Sequence, residues 1–173
     1  HPSKQHFGGE DACFTSDENS AVGVADGVGG WVTVSGSNSS KYSNDLMEFS
    51  KHYSYLKSPL EILERAYEHI DLTIPGSTTA TIAKLNHNNL SFINLGDSGC
   101  GVFRNFLHIF QTQSTTHGFN FPYQLGYGST TVPSNGTLEN IIVENNDILV
   151  CASDGLWDNV FIHRIENILK DTY

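Results

Sequence analysis

Ala21-Val22-Gly23-Val24-Ala25-Asp26-Gly27-Val28-Gly29-Gly30 is a short apolar run that ends in a carboxylate and then in glycines. A strand built this way carries an acidic side chain to the rim of a sheet, and the glycine turn lets backbone come close to a ligand. The pattern recurs. Leu90-Ser91-Phe92-Ile93-Asn94-Leu95 leads to Gly96-Asp97-Ser98-Gly99, and Ile148-Leu149-Val150-Cys151-Ala152 leads to Ser153-Asp154-Gly155-Leu156-Trp157-Asp158-Asn159. Gly9-Glu10-Asp11-Ala12 is a fourth acidic segment. Carboxylates delivered from distant parts of one chain suggest an oxygen-only site for hard cations, which suits Mg²⁺ or Mn²⁺.

Around these segments the chain reads as α+β. Phe14-Thr15 and Ser20 to Ala25 predict two strands joined across Ser16-Asp17-Glu18-Asn19. Tyr42, Leu46, Phe49 and Tyr53 recur at helical spacing within Ser40 to Leu56. Ser58-Pro59-Leu60-Glu61 is a capping box with proline at the first helical position, and Leu60, Leu63, Tyr67 and Ile70 form the buried face behind it. Both aromatic stripes read as core packing. A meander follows over Thr78 to Leu85, Leu90 to Leu95, Cys100 to Arg104 and Leu107 to Phe110. Residues 111–140 are mostly polar, long for a loop in a compact domain, and suggest a functional flap. Ile141 to Val143 and Asp147 to Ala152 predict a hairpin across Glu144-Asn145-Asn146, with a last helix within Phe161 to Leu169.

The 173 residues fit one domain, 1–173, and a hydrophobic fraction of 38% with 11% aromatics fits a folded chain. A net charge of −10, from 19 acidic against 9 basic residues, disfavours nucleic acid or an anionic membrane as main partner. No run has membrane-spanning length, so no membrane insertion is expected. Cys13, Cys100 and Cys151 stand singly, which suits small core residues in a reduced compartment rather than a disulfide framework or zinc site.

The four acidic segments carry a resemblance. Together with His1-Pro2-Ser3-Lys4, Gly76-Ser77-Thr78-Thr79-Ala80 and Phe119-Asn120-Phe121-Pro122-Tyr123-Gln124-Leu125, they stand in the order found in metal-dependent protein phosphatases of the protein phosphatase 2C type. The chain looks closest to that family's mitochondrial and chloroplast subgroup. The resemblance implies a four-layer β-sandwich flanked by helices, α-β-β-α, incomplete at the C-terminus. It implies hydrolysis of phosphoserine or phosphothreonine in a phosphoprotein substrate, by water activated at a dinuclear Mg²⁺ or Mn²⁺ site with two ions, joined by a third in some relatives. By resemblance Asp26 bridges two ions and Gly27 offers its carbonyl. Glu10 serves the second ion, Asp11 holds a water, and Asp154 serves the first. Asp97 and Asp158 match the pair at a third ion, with plain turn or cap roles standing equally.

Three departures accompany it. Val28 occupies the position where many relatives have a general-acid histidine, which leaves His6 as a weak substitute. Only Lys4 and His6 lie where relatives carry a phosphate-gripping arginine, and lysine lacks the bidentate fork. The family usually continues past the last helix to strands that bear a further metal aspartate, whereas the residues given stop at Tyr173, which leaves either a longer polypeptide or a degenerate site. The alternative expectation is therefore a catalytically impaired, phosphatase-like binding or structural subunit with a protein partner in an organellar complex. The subgroup favours an intracellular, mitochondrial location.

Overall fold

The computed structural model describes residues 9–31, 33–118 and 121–172. Its larger sheet holds β1 (Asp11–Ser16), β2 (Ala21–Asp26), β4 (Ala80–Asn86), β5 (Asn89–Leu95) and β11 (Thr137–Ile142) in the order β1-β2-β4-β5-β11, each pair antiparallel. The second holds β6 (Gly99–Arg104), β7 (Leu107–Gln111) and β12 (Ile148–Ala152) in the order β12-β6-β7, also antiparallel. Two-residue β3 (Ser77–Thr78) pairs with β10 (Leu125–Gly126), and β8 (Thr116–Gly118) with β9 (Phe121–Pro122).

Side chains alternate across each sheet, so neighbouring strand residues enter different cores. Ile82, Ile93 and Leu95 face outward onto helices α1 (Ser39–His52) and α2 (Pro59–Tyr67), meeting Leu46, Met47, Ile62 and Leu63. Ala83, Phe92, Cys100 and Val102 fill the layer between the sheets, with Leu149 and Cys151 against them. Phe103 faces the other way, onto Ile165 and Leu169 of α4 (Ile162–Thr172), and short α3 (Asp154–Trp157) adds Leu156 and Trp157. Three cores between four layers make the expected α-β-β-α arrangement.

The helix starts follow from sequence chemistry. The Asn38 side chain accepts from the Lys41 N–H at 2.9 Å, and the Ser58 hydroxyl faces the Glu61 N–H at 3.5 Å, with Pro59 at the first turn. The buried stripe of α2 is wider than predicted, since Ile62 and Ala66 are buried as fully as Leu63.

Three expectations are corrected. Residues 111–140 contain β8, β9, β10 and the start of β11 rather than mostly loop. The segments after residue 136 do not form a hairpin, because β11 pairs with β5 and β12 with β6. β12 has apolar neighbours on both faces, Leu149 and Cys151 inward and Ile148 and Val150 toward α4, as its place in the smaller sheet between the inner core and α4 requires. Cys13 is exposed rather than core. Cys100 is buried opposite Cys151, and burial pushes its thiol well above the usual cysteine value.

Candidate metal centre

Asp26 is the last residue of β2, and in the β1–β2 register it stands directly opposite Asp11. Its backbone is fixed on three sides. The Asp26 N–H donates to Thr79 Oγ1 at 3.0 Å, while its carbonyl accepts from the Thr79 N–H at 2.9 Å and from Thr78 Oγ1 at 3.0 Å. Thr79 Oγ1 also lies 2.8 Å from Ser98 Oγ, beside Asp97. One buried hydroxyl thus joins the turn after β2 to the turn after β5.

Gly27 is required for space. A Cβ there would stand 2.6 Å from the Glu10 carbonyl oxygen and 2.7 Å from that of Ser39. The Gly27 N–H donates to the same Glu10 oxygen at 2.9 Å, and Ser43 Oγ of α1 donates to it at 2.5 Å. The main chains of Glu10, Gly27 and α1 are therefore held together. Gly96 is constrained likewise, with φ of 109° and a hypothetical Cβ 2.6 Å from Thr79 Cγ2.

The carboxylates converge on this frame. The Asp26 carboxyl is pushed up to about 8 by burial, then by a hydrogen bond to Asp11 and the charges of Asp11 and Asp154, with a hydrogen bond to Asp154 as well. Asp154 begins α3, and Ser153 Oγ donates to Asp11 Oδ2 at 3.3 Å. Trp157 holds α3 in place, its Nε1–H lying 3.0 Å from the Ala152 carbonyl oxygen and 3.2 Å from that of Gly99. The Asp97 carboxyl is raised too, first by burial and then by the charges of Asp154 and Asp158. Asp158 caps α3, its N–H donating to the Asp154 carbonyl at 2.8 Å.

Asp26, Asp97 and Asp154 line an open cavity of about 730 Å³ with Val28, Trp31, Thr79, Phe121 and Gln124. No lysine, arginine or histidine is among the described residues that line it. Among the described residues no group of three or more His, Cys, Asp or Glu side chains is arranged as a finished ion cage. The donor set nevertheless has the chemistry of a hard-cation site, because the carboxyls of Asp11 and Asp154 crowd around that of Asp26 with like charges. Lys4 and His6 lie outside the described residues. Thr79, Ser98, Trp31 and Trp157 carry no role in the sequence reading. Thr79, Ser98 and Trp157 stand inside motifs quoted there, which was the available signal.

No protein-family model matches the sequence. The chain is 43% identical, over 98% of its length, to "Probable protein phosphatase 2C 80" of Arabidopsis thaliana, and covers 42% of that protein. It is 35% identical to "Protein phosphatase 2C homolog 7, mitochondrial" of Saccharomyces cerevisiae, over 94% of this chain and 57% of the yeast protein. Among solved structures it superposes on the photosystem II phosphatase PBCP with a TM-score of 0.92 and 30% identity, covering 99% of this chain and 70% of that one. The chain belongs to the protein phosphatase 2C family. The catalytic domain of the serine/threonine phosphatase PstP, solved with two manganese ions, shares the family fold at a TM-score of 0.71 and 17% identity. This phosphatase 2C chain spans about two fifths of the plant relatives it matches, 42% and 37%. Among its described residues no helix is long and apolar enough to cross a membrane.

Proposed function

We propose that this chain acts in the metal-dependent hydrolysis of phosphoserine and phosphothreonine in protein substrates. The observation that carries the reading is the convergence at one strand end of Asp26, Asp11 and Asp154, where burial and the two neighbouring carboxyls push the Asp26 carboxyl up to about 8. Asp26, Asp11, Glu10 and Asp154, with the Gly27 carbonyl, would hold Mg²⁺ or Mn²⁺, and Asp97 and Asp158 would serve a further ion. When bound, such ions offset phosphate charge and acidify water.

The protein's own part is positional. Thr79 fixes the Asp26 backbone, Trp157 fixes α3 beneath Asp154, and Gly27 keeps the Glu10 main chain beside the site. Cations held by these carboxylates would offset the charge of the phosphate dianion, and no arginine or lysine is among the described residues that line the cavity. Val28 has no proton to give, and the leaving alkoxide takes its proton from solvent in the open cavity. A mitochondrial location is the finer reading, supported by the printed name of the yeast relative.

The test is turnover of phosphothreonine peptides by the natural polypeptide with Mn²⁺ or Mg²⁺, with chelator, and with Asp26→Asn. Metal-dependent hydrolysis that chelator abolishes and Asp26→Asn removes is expected. Turnover that survives chelation would overturn the reading.

A further inference from the structure

The cavity at the carboxylates continues outward. Trp31, Phe121 and Gln124 line it and also line a second cavity of about 330 Å³, whose other walls include His117, Tyr127 and Ser129 to Thr131. Shared walls set the two cavities side by side as two parts of one trough-like surface, with carboxylates at one end and aromatic rings and hydroxyls at the other.

The aromatic end is built rather than loose. The Trp31 Nε1–H donates to Ser77 Oγ at 2.6 Å, and the Ser77 hydroxyl in turn donates to Gln124 Oε1. Tyr127 meets Trp31 edge to face, with ring centres 5.9 Å apart and an interplanar angle of 88°. His117 stacks on Tyr123 at 4.2 Å and leans on Phe121 at 4.9 Å. Yet Phe121 is 55% exposed and Tyr127 44%. Large rings held by partners while their faces stay open form a surface ready for a ligand.

Charge selects the ligand. No described lysine or arginine lines either cavity, and the whole chain carries −10. We propose that this trough binds the residues flanking the phosphorylated side chain, and that it selects phosphopeptides with lysine or arginine there. The proposal rests on the phosphatase reading for the phosphate itself. A phosphoseryl or phosphothreonyl side chain occupies only the carboxylate end. The aliphatic stem of a neighbouring basic residue lies along Phe121 and Trp31, and its cation meets the open ring faces.

Two phosphothreonine peptides, one flanked by arginines and one by glutamates, are compared with para-nitrophenyl phosphate on the Mn²⁺-loaded natural polypeptide. The arginine peptide should have a kcat/KM about threefold higher, the size expected for one cation–π contact at exposed rings. Phe121→Ala and Tyr127→Ala should raise KM for the arginine peptide several times more than for para-nitrophenyl phosphate, and Thr130→Lys should erase the preference between peptides. Equal kcat/KM on both peptides, or equal losses on peptide and small substrate, would overturn the trough. Calorimetric titration with phosphonate versions of both peptides separates the two readings. Selective binding of the arginine peptide without turnover supports the trough and sinks the phosphatase reading, and turnover without any preference does the reverse.

Discussion

Asp26 is where folding and function pull in opposite directions. Its carboxyl titrates near 8 in the folded, ion-free chain because of burial and the neighbouring Asp11 and Asp154, against an ordinary value of 3.8. The folded state therefore binds the proton more tightly than the unfolded state, so stability is highest below the unfolded value and is lost as pH rises from about 4 to about 8. Asparagine has no such titration. Asp26→Asn should melt higher than the wild type in chelator, with the gap widening from pH 5 to pH 8, while calorimetry finds its Mn²⁺ binding gone. A gap that stayed constant with pH would mean that Asp26 is not the strained group. Asp26, Asp97 and Asp154 were legible because each follows an apolar run and precedes a turn. Thr79 was not legible as a positioning group, because a threonine in a strand reads as ordinary sheet material. The glycine after Asp26 was legible as a constraint, but its cause is the Glu10 and Ser39 carbonyls packed against it.

Helices α1 and α2 and most strands could be read from periodicity and caps, which are local. Strand partners could not, because alternation says which face is buried and not which neighbour supplies the hydrogen bonds. The crossing between β11 and β12 is the clearest case. Arg104 of β6 reaches across, donating from Nε to Asp147 Oδ1 at 2.9 Å and from Nη2 to Asp147 Oδ2 at 2.7 Å, while Nη1 meets Glu144 Oε1 at 2.7 Å. Nothing in Glu144-Asn145-Asn146 announces a partner 40 residues earlier on the order of the contact. The Asp147 carboxyl is held below its usual value, first by the Arg104 hydrogen bond. Its contribution is present above the unfolded carboxylate value and is lost as pH falls through the lower folded one. Asp147→Asn should lower stability in urea by about 2 kcal/mol at pH 7, a typical value for charge-assisted hydrogen bonds. That difference should fade toward pH 3. An equal loss at both pH values would assign Asp147 a packing role instead.

At the scale of the whole molecule, the carboxylates come from both sheets. Asp26 ends a strand of the larger sheet, Asp97 lies where the chain passes from one sheet to the other, and Asp154 follows β12 of the smaller. A cation held among them joins the two halves of the sandwich, so binding should register as global stability. With Mn²⁺ at about 100 times its dissociation constant, the melting temperature should rise on the order of 5–10 °C. Asp154→Asn should shrink that rise, and a full rise in the variant would place the ion elsewhere. The β1–β2 register has a further consequence. β1 is an edge strand, and its Asp11 faces Asp26, so two acids stand opposite each other at the edge of the larger sheet. That end of the sheet should open on its own, well below the energy of global unfolding. Amide protons of β1 near Asp11 should then exchange with deuterium faster than those of β4 and β5, and slow when a cation neutralises the pair. The corner that gathers the ligands would also be the molecule's breathing edge, closed from outside by the ion it collects.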